Sequence, residues 1–109
     1  MRYLKTYEQI NIKKYAIFSF EKFSGVLMIV EVVDVKDNFV FYKKRYTYRD
    51  YYGEPASRNL RETDYLYKDE IHKDSIDDRF KKRVVYQSDN IQDCIDQLDT
   101  IITIKKYNI

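Results

Sequence analysis

The densest apolar stretch of the chain runs Val26-Leu27-Met28-Ile29-Val30-Glu31-Val32-Val33, with one charge inside it. A segment apolar at consecutive positions is expected to be buried on both faces, as a central strand or in a small closed barrel. This makes 24–35 the strongest predicted strand. Before it, "KKYAIFSF" (13–20) has the aromatic and β-branched content of a second strand. After it, Lys36-Asp37-Asn38 signals a turn, and "FVFYKKRYTY" (39–48) follows as the return strand of a hairpin. "RVVYQS" (83–88) predicts a further strand. Ile91, Cys94, Ile95, Leu98 and Ile102 then recur at helical spacing, which predicts an amphipathic helix over 89–102 lying across a sheet face. Asp89 stands at its expected N-cap, with Gln92 three residues on in capping-box order. Its continuation, "TITIKKYNI", suits either a fraying helix or an edge strand.

Other segments are less regular. Tyr3, Leu4, Tyr7 and Ile10 have helical spacing over barely two turns, too short to stand without docking. Residues 49–64, with Gly53 and the only proline, Pro55, show no periodicity and are expected to form an exposed loop. Residues 65–82 leave two options open. Tyr65 and Tyr67 alternate as in a strand, whereas Ser75 to Lys82 suits a short helix capped by Ser75. The expected fold is therefore one α+β domain over 1–109: a strongly bent antiparallel sheet, or a small SH3-like barrel, of four to five strands with a C-terminal amphipathic helix.

Alternation along 39–48 sets Val40, Tyr42, Lys44, Tyr46 and Tyr48 on one face, and Phe39, Phe41, Lys43, Arg45 and Thr47 on the other. Tyr42, Tyr46 and Tyr48 are thus candidates for packing, and Lys43 and Arg45 for solvent. Charge is uneven along the chain although the net value is only +2. Residues 42–61 hold six basic and two acidic side chains, and 62–100 hold six basic and eleven acidic ones. Part of that asymmetry is expected to neutralise internally.

Tyrosine is unusually frequent, at twelve residues, and there is no tryptophan. Tyr and Arg are enriched at binding hot spots, which makes a protein partner, host or viral, the favoured expectation. Its predicted contact surface is Tyr46, Tyr48, Arg49, Tyr51, Tyr52, Arg58 and Arg61. The alternative is a nucleic-acid-binding small barrel, with Lys43, Lys44, Arg45 and Arg49 tracking phosphates and Tyr48 and Tyr51 stacking on bases. Self-association is compatible with either.

Several chemistries lack their parts. His72 is the only histidine and has no cysteine beside it for a zinc site, and Asp69, Glu70 and Asp74 around it read as a solvated acidic loop. Gly25 and Gly53 alone cannot form a phosphate-cradling loop. Cys94, the only cysteine, falls on the apolar stripe of the last helix, where a thiol is a quiet small hydrophobe. No catalytic residue, metal or cofactor is expected. Asp89, Asp93, Asp96 and Asp99 line the wet side of the same helix and read first as a solvated face. The single cysteine, and an opening without an apolar leader, fit a protein of the host-cell cytoplasm or of a virion, with no membrane association.

Both ends carry a resemblance. "RYLKTYE", "KKYAIFSF" and "GVLMIVEV" near the start, and "VVYQSDNIQDCIDQL" with "KKYNI" at the close, resemble short accessory reading frames of AT-rich phage and large-virus genomes. Such frames carry a glycine–aspartate turn before the first strand, where this chain has "NIKKY", and they offer no counterpart to 49–82. The resemblance implies a viral accessory origin and no particular chemistry.

Overall fold

The computed structural model describes residues 12–20, 26–49 and 60–107, with side chains to 102. Six strands form one antiparallel sheet among these residues: β1 Tyr15–Ser19, β2 Val26–Lys36, β3 Phe39–Arg49, β4 Leu60–Glu62, β5 His72–Ser75 and β6 Val84–Ser88. Their order is β4-β3-β2-β1-β6, with β5 on the same edge of β3 as β4. Among the described residues the outer strands do not pair with one another, so this sheet is open and not closed into the barrel alternative. Between β5 and β6 lies a π-helical turn, Ile76–Phe80, continued by the short helix α1, Lys81–Arg83; helix α2, Ile91–Tyr107, follows β6.

β2 is central, as its consecutive apolar residues require. Leu27, Met28, Ile29 and Val30 are all buried, and they divide between two cores on opposite faces of the sheet. On the first face Ala16, Phe18, Met28, Val30, Val40 and Tyr42 pack under Ile76 and Phe80. Phe18 meets Tyr42 and Phe80 edge to face, at 5.2 and 5.6 Å between ring centroids. On the second face Ile17, Leu27, Ile29 and Tyr48 pack under Cys94, Leu98 and Ile102 of α2. Each fully buried Val, Leu, Ile or Phe among them contributes about 1.5–3 kcal/mol of transfer free energy.

Register explains how one strand feeds both cores. Ile29 opposes Tyr46 while Val30 opposes Lys44, so Arg45 is an extra residue in β3. Val33 is likewise extra in β2, and Val85 in β6. Such β-bulges exchange the faces of everything beyond them. Tyr42 and Tyr48, even-numbered in one strand, consequently belong to different cores. The expected single tyrosine face of β3 is corrected here: alternation holds only on either side of the bulge.

The turn between β2 and β3 has two residues, with Asp37 at φ 56°, a left-handed value that Asp tolerates better than most residues. The loop expected over 49–64 contains a strand at 60–62, and 65–82 divides into a turn, β5 and the helical segment. Ser75 sits at the N-cap of that segment, but its side chain makes no capping hydrogen bond. Helix α2 starts after Asn90, not Asp89. The Asn90 Oδ1 accepts the Gln92 N–H (2.9 Å), while Asp89 accepts the backbone N–H of Lys14 (3.1 Å) and ties the helix entry to β1. The short helix expected at 3–10 lies outside the described residues. No helix among them is long and apolar enough to cross a membrane.

Candidate functional site

β4 and β5 share one edge of β3. Tyr46 opposes Glu62 at the end of β4, and Tyr42 opposes His72 at the start of β5. Four β3 positions span roughly 13 Å, yet nine residues, 63–71, make the journey, so this segment leaves the sheet as an excursion. It departs where the bulge sits: the Thr63 N–H donates to the Arg45 carbonyl (3.0 Å). Asp64 then organises the turn. Its carbonyl accepts the Tyr67 N–H (2.8 Å), its Oδ1 accepts the Leu66 N–H (2.9 Å), and the Tyr67 carbonyl accepts the Glu70 N–H (3.1 Å). An Asp side chain bonded two residues ahead is the local device that sets such turns.

This hydrogen-bonded turn holds its largest apolar side chains in water. Tyr65 and Leu66 are 79% and 78% exposed, and Tyr67 and Ile71 55% and 56%. The Lys68 ammonium rests 4.9 Å from the Tyr65 ring centroid, covering one ring only. Sequence reasoning passed over this group because Tyr65 and Tyr67 were read as strand alternation. The signal was nevertheless present: three consecutive large side chains bounded by charges, "DYLYKDE", cannot all face a core from a strand or a helix.

Two hollows flank the excursion. The larger, about 470 Å³, is lined by Lys44, Thr47, Arg49 and Arg61 from β3 and β4, and by Glu62, Thr63, Asp64, Tyr67, Glu70 and His72. The smaller, about 350 Å³, includes Glu31, Lys43, Arg45, Tyr46, Lys68 and Asp69 in its lining.

The predicted contact residues separate accordingly. Tyr48 is 1% exposed and Tyr46 packs beside it under α2, so Tyr48 offers no surface either to a partner or to a base. This corrects the expectation, and the bulge at Arg45 is its cause. Lys43 and Arg45 face acids of the same molecule, Asp69 at 4.0 Å and Glu31 at 2.6 Å. Arg49 and Arg61 are exposed and share the larger hollow with Lys44. Tyr51, Tyr52 and Arg58 lie outside the described residues.

Four titratable groups, Asp74, Tyr42, Cys94 and His72, have structural surroundings. Asp74, expected in a solvated acidic loop, is 4% exposed. Its Oδ2 accepts hydrogen bonds from the Tyr42 hydroxyl (3.1 Å) and from Arg83 Nη1 (3.0 Å), and Arg79 stands 3.9 Å from Oδ1. Burial, and secondarily the Asp74 charge, push the Tyr42 hydroxyl well above its ordinary range. Burial, with a smaller contribution from Asp93, pushes the Cys94 thiol up to about 11, so a reactive thiolate is disfavoured at neutral pH. His72 stacks on Tyr42 (5.5 Å, 23°) and lies 3.9 Å from Glu70. No group of three or more potential metal ligands occurs among the described residues. No family model matches the chain, and comparisons with curated proteins and with solved structures likewise return no match.

Proposed function

We propose that the protein is a non-enzymatic interaction module that docks a protein partner through the 64–71 turn. The observation that carries this reading is the exposure of Tyr65, Leu66, Tyr67 and Ile71 on a backbone held by its own hydrogen bonds. Apolar side chains held in water by an ordered turn gain free energy when a partner covers them, and little ordering entropy is then lost. Arg49 and Arg61, retained from the sequence-based surface, border the same site. In a viral accessory setting, such a module would act by occupying a surface of a host or viral protein.

The nucleic-acid alternative has less support. Tyr48 is buried, and Lys43 and Arg45 are directed to internal acids.

A photo-crosslinking side chain placed at Leu66, in cells of the natural setting, tests the reading. A discrete protein adduct from position 66, absent when the same group replaces the exposed Asp78, is expected. Equal labelling from both positions, or none from position 66, would remove the proposal. An adduct of twice the chain mass would identify the partner as a second copy.

A further inference from the structure

We infer that the larger hollow beside the turn receives carboxylate side chains of an acidic, partly apolar segment of the partner. The inference rests on the interaction-module reading and adds the chemistry of what is bound.

Two observations point to an anion. First, Lys44, Arg49 and Arg61 line the hollow, and none of them takes part in an ion pair among the described residues. Second, Arg61 opposes Thr47, two positions from Arg49. The two guanidinium groups are therefore diagonal neighbours with Cα atoms about 7–8 Å apart, an arrangement that repels until an anion enters.

Three acids, Glu62, Asp64 and Glu70, line the hollow as well, so the anion is received on the side formed by the Arg49–Arg61 diagonal pair and Lys44.

A peptide fits better than a polynucleotide. A continuous phosphate chain would meet Glu62, Asp64 and Glu70 as well as the cations, whereas single carboxylates can be seated among the cations alone. The neighbouring Leu66 and Tyr67 also suit apolar residues interleaved with acids.

The test is fluorescence anisotropy of the full chain at low ionic strength. The probes are a labelled peptide alternating Glu and Leu, the same peptide with Gln for every Glu, and a labelled oligothymidylate. The Glu peptide is expected to bind at least tenfold more tightly than the Gln peptide, and to weaken as salt is raised. Arg49→Gln with Arg61→Gln should reduce its affinity to the Gln-peptide level, while Lys82→Gln leaves it unchanged. Arg61→Gln alone, an exposed single change, should give an intermediate loss with unaltered thermal unfolding. Tighter binding of oligothymidylate than of the Glu peptide would overturn the inference. So would Glu and Gln peptides binding equally, and if Leu66→Ser abolished both, the interaction module would still stand. No peptide binding, together with no adduct from position 66, would remove both proposals.

Discussion

Asp74 is the residue on which the first core depends most directly. A carboxylate with 4% exposure is tolerable only because Tyr42 and Arg83 donate to it and Arg79 stands near. Asp74→Ala would leave a tyrosine hydroxyl and a guanidinium short of an acceptor. We expect a loss of about 2–3 kcal/mol, read as a lower urea midpoint, against about 1 kcal/mol for Tyr42→Phe. An alanine variant as stable as the parent would show the network to be dispensable. Nothing in "EIHKDSIDD" marks Asp74 as different from Asp69 or Asp77. Its burial comes from pairing Val40 opposite Asp74 in β5, a long-range register invisible to local pattern.

At the scale of elements, what was legible depended on whether local period and tertiary register agreed. Helix α2 was legible because its apolar stripe, Cys94, Leu98 and Ile102, is the stripe that packs. β2 was legible because both of its faces are covered. β3 was legible as a strand but not in its facing, since Arg45 is a polar residue in an alternating run and gives no sign of being unpaired. The bulge makes a sharp prediction. Arg45→Ala removes one exposed ion pair with Glu31 and should cost less than about 1 kcal/mol. Deleting Arg45 would close the bulge with Lys44 and Tyr46 still opposite Val30 and Ile29, so Tyr46 and Tyr48 stay on the second core and thermal unfolding should remain cooperative, at a lower midpoint because the Thr63 N–H loses its acceptor. A deletion variant that no longer unfolds cooperatively would refute this account of the register. The candidate site itself was half legible. Arg49 and Arg61 were correctly read as exposed, but the apolar turn beside them was hidden by its resemblance to a strand.

For the whole molecule, the decisive fact is that one sheet is shared by two cores, and each core holds an acid that burial keeps protonated. Tyr42 serves the first core and Cys94 the second. A raised folded pKa contributes stability that is complete below the unfolded value and is lost as pH rises towards the folded one. For Cys94 the window runs from 9.0 to about 11, with a slope of about 1.4 kcal/mol per pH unit. The Tyr42 contribution declines in the same direction from 10.0 upward. Urea midpoints should therefore fall above pH 9 in a single transition, and less steeply for Cys94→Ala; identical pH profiles for parent and variant would contradict the burial argument. The excursion between β4 and β5 has a different kind of consequence. It leaves and rejoins the same edge of β3 at points already pinned by Glu62 and His72, so the scaffold dictates neither its length nor its content. The segment can be regarded as an exchangeable cassette: descendants of this chain, or a designer, can rewrite what it recognises while the rest of the framework stays as it is.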